Sequence, residues 1–165
     1  MGLFSFIKDA GAKIFGGKTS AEEAAEAAAD KVAAVKAANL EAAAGLKETI
    51  NDLDLKVENL DIAIAGDTAT IRGKALNQST KEKVVLVVGN SAGIAVVDDL
   101  MEVEITEPEA RFHTVVSGDS LSKIAKKFYG NAMKYPEIFE ANKPMLTDPD
   151  KIYPGQVLRI PHIEE

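Results

Sequence analysis

Hydrophobic residues recur along this chain with two different spacings, and the changes of spacing mark the predicted elements. Apolar residues three to four positions apart predict helices over residues 1–18, 21–52 and 79–89. Strict alternation predicts strands over 60–64 and 68–72, joined by a tight turn at Gly66-Asp67, and a further strand over 94–105. After the N-terminal segment, the first part of the chain therefore has the order helix, strand, strand, helix, strand.

The last third of the chain has a different predicted order of elements. A short strand over 113–116, a helix from Leu121 to about Tyr129, a second helix ending near Asn142 and a strand over 156–160 give strand, helix, helix, strand. The acidic, proline-bearing stretch from Thr106 to Ala110 has the composition of a linker. We therefore predict an α+β protein with an N-terminal docking helix (1–18), a first domain with an alanine-rich helix (19–106), a linker (107–111) and a second domain (112–162).

Local signals place the helix ends. The motifs Ser20-Ala21-Glu22-Glu23 and Ser79-Thr80-Lys81-Glu82 both have the spacing of a capping box, and predict helix starts. The alanine-rich helix has two weak points, Asn39 and Gly45, so either one long helix or two abutting helices fit the pattern. The apolar N-terminal helix fits docking on the protein body better than a membrane surface, because it lacks a basic face.

Composition and charge exclude several classes of function. The net charge of −7 argues against nucleic-acid binding, and the absence of cysteine excludes disulfides and thiolate metal sites. No apolar stretch is long enough to span a bilayer, and the N-terminus lacks the basic start of a secretory signal, so we expect a cytoplasmic protein. Because no nucleophile–base pair or pair of acid–base carboxylates emerges, we do not expect an enzyme.

The stretch from Val84 to Ile94 is the candidate for chemistry. Its pattern is that of the apolar end of a helix that ends at Gly89, followed by a turn that leads through Gly93 into a strand. The end of a helix leaves backbone carbonyls without partners and carries the negative end of the helix dipole. The stretch is therefore either an ordinary helix stop or a nest of oxygens for a cation.

The second domain resembles a LysM domain. The matching blocks stand in the right order: Thr114 to Leu121, Ile124-Ala125, Ala141-Asn142 and Ile152 to Pro161. The first domain is similar to a BON domain in its element order, αββαβ, and in the spacing of Gly93, Ala95, Val97 and Asp99. With the N-terminal sequence from Met1 to Gly11, the pair resembles the BON–LysM family of bacterial cytoplasmic potassium-binding proteins.

This resemblance implies a potassium ion as the ligand, bound through backbone carbonyls, with a conformational change that would make the protein a sensor. Backbone carbonyls can replace the hydration shell of potassium. Carried over position by position, the implied ligands are the carbonyls of Ile7, Ala10, Gly89, Ser91 and Ile94.

The LysM resemblance also implies an alternative, an envelope protein that binds peptidoglycan through N-acetylglucosamine units. The positions that match the sugar-binding loops are Gly118, Asp119, Ser120 and Leu121 on one side and Ile152 and an exposed Tyr153 on the other. The other interpretation is that these residues form a turn, a helix cap and a small core. The domain would then be structural or would dock an unidentified protein.

Overall fold

Helices and strands are mixed along the chain, which confirms the predicted α+β class. The computed structural model describes residues 2–5 and 31–163. In chain order the elements are β1 (Gly2–Ser5), α1 (Lys31–Asp52), β2 (Val57–Ala65), β3 (Thr68–Asn77), α2 (Gln78–Gly89), β4 (Val96–Asp99), β5 (Glu102–Ile105), β6 (Arg111–Thr114), α3 (Leu121–Tyr129), a short 3₁₀ helix (Ala132–Lys134), α4 (Tyr135–Ala141) and β7 (Val157–Ile160).

The first domain is a five-stranded sheet covered by α1 and α2. Its strands lie in the order β1-β4-β3-β2, and β5 pairs with β3 beyond the end of β4. The β2–β3 hairpin closes at the predicted turn, where Ala65 pairs with Thr68 and Gly66 has a φ of 63°. A positive φ at the first turn position is what glycine provides in a tight hairpin. The core of this domain lies between the sheet and the two helices and includes Ile50, Ile71 and Val97.

The N-terminal prediction is wrong for residues 2–5, which form a strand instead of the start of a helix. They pair antiparallel with β4, Leu3 opposite Asp98 and Phe4 opposite Val97. Leu3 is 77% exposed whereas Phe4 packs against the core, the alternation of a strand. The rest of the predicted docking helix, with Ile7 and Ala10, lies outside the described residues, as does the capping box at residues 20–23.

The strand predicted over 94–105 is in fact two strands. The Asp99 carboxylate accepts a hydrogen bond from the backbone N–H of Met101 at 3.0 Å, which turns the chain between β4 and β5. Such a local side-chain bond competes with the strand ladder for the same backbone group. Both halves run parallel to β3.

The start of α2 also differs from the prediction. Asn77 caps the helix, because its side-chain oxygen accepts from the backbone N–H of Thr80 at 2.9 Å. The predicted cap, Ser79, lies inside the first turn of the helix. Glu82, the predicted partner in the capping box, is buried and bonds elsewhere. The alanine-rich helix α1, by contrast, ends at the predicted Asp52 and passes through Asn39 and Gly45 without a break.

The second domain follows the predicted order of strand, helix, helix, strand. Strands β6 and β7 pair antiparallel, and α3 and α4 pack on them around a separate core that includes Leu121, Ile124, Ile138 and Leu158. Ser120 caps α3 by accepting from the backbone N–H of Lys123 at 3.3 Å. The segment between the domains, residues 106–110, has no regular structure.

Candidate functional site

Helix α2 is buried along most of its length because it lies between the two domains. Its four valines, at 84, 85, 87 and 88, belong to the core of the first domain. Glu82, Leu86 and Asn90, spaced four residues apart, lie on another face. That face contacts the second domain: Leu86 lines a small cavity with Leu146 and Leu158. Helix α2, with the buried polar residues Glu82 and Asn90 on this face, therefore connects the two domains.

Asn90 connects the end of α2 to the strand β7. It is the C-cap residue of the helix, and its buried carboxamide makes two hydrogen bonds to Val157. The amide nitrogen donates to the Val157 carbonyl at 3.0 Å, and the amide oxygen accepts from the Val157 N–H at 2.9 Å. The side chain thus takes the place that a neighbouring strand would occupy along this edge of β7.

Asn142 bonds the backbone of Arg159, two residues further along β7, in the same way. Its carboxamide donates to the Arg159 carbonyl and accepts from the Arg159 N–H, each at 2.8 Å. One asparagine from each domain therefore satisfies the edge of β7 that β6 does not cover. Because unsatisfied buried backbone groups are costly, these side chains hold the strand in position.

A buried ion pair lies beside this edge. One oxygen of Glu82 accepts from Nε of Arg159 at 2.5 Å, and the other accepts from the Ala110 N–H at 2.9 Å and the Gln78 side chain at 3.0 Å. Glu82 and Arg159 are both less than one-tenth exposed. Glu82 therefore bonds three segments at once: its own helix, the linker and the second domain.

Three of the predicted ion ligands lie at the end of α2 and in the loop after it: Gly89 is the last residue of the helix, Ser91 and Ile94 follow it, and all three are buried. The last carbonyls of the helix are already used, since those of Leu86 and Val88 accept backbone N–H groups and that of Val87 accepts the Ser91 hydroxyl at 2.7 Å. Among the described residues, the Ser91 carbonyl accepts a long bond, 3.4 Å, from the Ile94 N–H. The other two predicted ligands, Ile7 and Ala10, fall outside the described residues.

The helix dipole favours a cation at this end of α2. Acidic side chains do not gather there: residues 2–5 and 31–163 contain no cluster of three or more histidine, aspartate or glutamate side chains that could hold a metal.

The predicted sugar-binding residues are mostly engaged within their own domain. The Asp119 carboxylate bonds His113 at 2.9 Å and the Val116 N–H at 3.1 Å, Ser120 caps α3, and Leu121 is in the core. The hydrogen bond from His113, followed by that from Val116, holds the pKa of Asp119 below its ordinary value. Gly118 has a φ of 87°, as its turn requires.

Tyr153 is not the exposed side chain that the sequence predicted. Its hydroxyl oxygen is buried and has no hydrogen-bond partner among the described residues. Burial raises the pKa of Tyr153 to about 12. Ile152 beside it packs against the core of the second domain. In this conformation the Tyr153 hydroxyl is therefore not available to a sugar.

Sequence reasoning missed the residues that join the domains: Glu82, Asn90, Asn142 and Arg159. Glu82 was assigned to a capping box and Asn90 to the loop, because both assignments are locally reasonable. The available signals were Asn90 at the end of an apolar stretch, eight residues after Glu82 on the same helix face, and an arginine inside an apolar strand. Such residues are expected to have buried partners.

Comparison with known proteins agrees with this architecture. Residues 113–161 match the family model of the LysM domain, so the second domain is a LysM domain. The chain is 44% identical over 162 residues to the potassium binding protein Kbp of Escherichia coli O6:H1 (strain CFT073), and the match covers 98% of this chain and 99% of the relative. The chain belongs to the family of this potassium binding protein. The BON assignment of the first domain and the exact domain limits stay predictions.

Shorter segments of this chain match parts of larger proteins. An uncharacterized protein of Deinococcus radiodurans is 53% identical over 49 residues, which cover 30% of this chain and 19% of that protein. An esterase of Mycobacterium tuberculosis (strain H37Rv) is 36% identical over 99 residues, which cover 59% of this chain and 21% of the esterase. The relative that spans the whole chain is thus a binding protein, and the enzyme match is partial.

None of the helices described here has the length and apolar character needed to cross a membrane.

Proposed function

We propose that this protein binds a potassium ion in the cytoplasm through backbone carbonyls at the end of α2, and that binding changes the contact between its two domains. The observation that carries this proposal is the near-full-length similarity to a protein named for potassium binding. The proposed ligands are the carbonyls of Ile7, Ala10, Gly89, Ser91 and Ile94. The protein acts as an ion-binding protein and not as an enzyme.

The chemistry of the loop suits this ion. Potassium is a large cation that exchanges its hydration shell for carbonyl oxygens, and the negative end of the α2 dipole favours positive charge at this position. The long contact from the Ile94 N–H to the Ser91 carbonyl is weak, so an ion could replace it at little cost. Burial of the loop would strengthen the interaction by excluding water.

Isothermal titration with potassium and sodium chloride tests the site. We expect heat with potassium and none with sodium. Gly93→Val should abolish the potassium heat, since Gly93 has a φ of 82° that a β-branched residue cannot adopt without strain. The control is Asp98→Asn, which changes a nearby carboxylate on β4 and should bind as the wild type does. If Asp98→Asn loses binding, or a natively folded Gly93→Val protein binds normally, the assigned site is wrong.

Asn90 offers the route by which binding would reach the second domain. It lies between the proposed ligands Gly89 and Ser91, and its side chain bonds both backbone groups of Val157. A shift of the loop on binding would therefore move or tighten the edge of β7. A ligand can change the conformation of a protein only through such differential contacts.

Hydrogen exchange at the Val157 amide measures this coupling. In wild type we expect potassium to slow exchange at Val157 about tenfold, a coupling of ~1.4 kcal/mol. In Asn90→Ala the potassium heat should persist while the protection of Val157 disappears; Asn51→Ala, an exposed asparagine on α1, is the matched control. Equal exchange with and without potassium in wild type, together with unchanged small-angle scattering, would refute the conformational change.

The match to the LysM family model favours a second candidate, binding of N-acetylglucosamine polymers or a peptidoglycan fragment. Isothermal titration with chitin oligomers distinguishes the glycan function from the potassium function. Heat from the sugar alone would support the glycan function, and heat from potassium alone supports the ion. If neither titrant gave heat, docking of a protein partner would remain as the proposed role of the second domain.

A further inference from the structure

The second domain has a cleft of about 550 Å³ on the side where α3 ends and β7 leaves the sheet. Binding sites for small molecules have volumes of about 300–1,000 Å³. The predicted sugar-binding loops are not part of its lining, and neither is the loop after α2. The cleft therefore needs an explanation of its own.

Its lining is positive in an acidic protein. Arg111, Lys134 and His162 line the cleft, and no aspartate or glutamate does so among the described residues. The side chains of Arg111 and Lys134 form no ion pair within that part of the chain, whereas Arg159 and Lys143 are paired. Two unpaired cations at one cleft create a local attraction for an anion despite the net charge of −7.

The walls between these charges are apolar and held in place. Phe128, Ile160 and Pro161 form them, and the Tyr129 hydroxyl donates to the Pro161 carbonyl at 2.6 Å. Burial, with a smaller contribution from Glu137, raises the pKa of Tyr129 to about 12, so the hydroxyl keeps its proton and the hydrogen bond persists. This hydrogen bond therefore holds the wall at Pro161 in place without a ligand.

We propose that this cleft binds a small organic anion, with its phosphate or carboxylate at Arg111 and Lys134 and its apolar body on Phe128 and Pro161. Arginine suits this role because its planar guanidinium can bond two oxygens of such a group. Asn131 adds a polar group at the rim: its oxygen accepts from the Met133 N–H, which leaves its amide nitrogen facing no partner among the described residues.

Amide chemical shifts recorded during titration test both parts of the proposal. The probes are phenyl phosphate and benzoate, which carry charge and ring together, inorganic phosphate, which carries charge alone, and benzyl alcohol, which carries the ring alone. We expect one of the two ring-bearing anions to shift the amides of Phe128, Lys134 and His162 at concentrations about tenfold lower than inorganic phosphate or benzyl alcohol requires. The stronger of the two identifies the acidic group.

Charge variants distinguish a specific cleft from general attraction. Arg111→Gln and Lys134→Gln should each weaken binding of the stronger probe about tenfold. Glu137→Gln removes a carboxylate that contributes to the raised pKa of Tyr129, and it should not weaken binding. Lys151→Gln, an exposed lysine outside the cleft, is the matched control. The proposal is overturned if no probe shifts these amides, if Lys151→Gln weakens binding as much as Arg111→Gln, or if the shifts fall on residues 118–121 instead.

Discussion

At the scale of single residues, the buried side-chain nitrogen and oxygen atoms of residues 2–5 and 31–163 have hydrogen-bond partners, with two exceptions. The oxygen of the Asn39 side chain and the hydroxyl of Tyr153 are buried without a hydrogen-bond partner in the described part of the chain. The comparable hydroxyl of Tyr129 is bonded to the Pro161 carbonyl. The two tyrosines thus form a natural pair for measuring what a buried hydroxyl contributes.

We expect Tyr153→Phe to leave the free energy of unfolding unchanged or to raise it by up to about 1 kcal/mol, because it removes an unsatisfied polar group. Tyr129→Phe should lower it by about 1 kcal/mol, because it removes a made hydrogen bond. Urea denaturation of both variants measures the difference. A larger loss for Tyr153→Phe than for Tyr129→Phe would mean that the Tyr153 hydroxyl has a partner.

The same tyrosines predict the alkaline behaviour of the protein. In the folded state both have a pKa of about 12, against about 10 in an unfolded chain. Between these values the folded state holds more protons than the unfolded state, so stability must fall as pH rises from 10 to 12. Absorbance at about 295 nm should show tyrosinate forming with the unfolding transition. Tyr153→Phe should reduce the pH dependence of stability.

At the scale of elements, two glycines inside regular structure have opposite surroundings. Gly45 lies in α1, and a Cβ there would meet nothing within 4 Å. Gly73 lies in β3 with a φ of 139°, where a Cβ would come within 2.7 Å of Val57 Cγ1 and 2.9 Å of the Glu58 carbonyl. The irregular register of β2 next to Glu58 brings its backbone close to this position.

Alanine at these two positions should therefore act in opposite directions. Gly45→Ala should raise the free energy of unfolding by about 1 kcal/mol, the gain expected for alanine over glycine in a helix. Gly73→Ala should lower it by about 2–4 kcal/mol, because backbone strain and overpacking both oppose the added methyl group. Thermal and urea unfolding measure both. If the two variants shift stability in the same direction, the packing described around Gly73 is incorrect.

At the scale of the whole molecule, the two domains share a buried interface whose centre is the pair of Glu82 and Arg159. Removing one partner of a buried pair leaves an uncompensated charge, at a cost of about 3–5 kcal/mol. Glu82→Gln keeps an acceptor for the Ala110 N–H but removes the charge and the oxygen that accepts from Nε of Arg159.

We expect a double-mutant cycle of Glu82→Gln and Arg159→Met to give a coupling energy of about 2 kcal/mol. The exposed pair of Lys47 and Asp61, 3.4 Å apart on the first domain, is the control and should couple by less than about 1 kcal/mol. Because the pair joins two domains, we also expect one unfolding transition in the wild-type protein and two in Glu82→Gln. Equal coupling for the two pairs would show that the interface does not depend on the ion pair.

Much of the fold follows from local sequence. The turn at Gly66, the start of α3 at Leu121 and the end of α1 at Asp52 were all predicted, because each depends on residues within a few positions of one another. Three of the proposed ion ligands, Gly89, Ser91 and Ile94, could be placed on one loop for the same reason. The break between β4 and β5 was missed although it is local, because alternation of side chains continues through it while the Asp99 carboxylate redirects the backbone.

The sequence by itself determined the order of the elements from α1 to β4 and from β6 to β7, and the loop that ends α2, since periodicity, glycines and caps act over short distances along the chain. Only the tertiary structure decided that residues 2–5 pair with β4, that the Tyr153 hydroxyl is buried, and that α2 joins the two domains. Asn90 and Val157 are 67 residues apart, and Glu82 and Arg159 are 77 apart. These hydrogen bonds form because buried polar groups require partners. Which residue becomes the partner depends on how the domains pack and not on neighbours in the sequence.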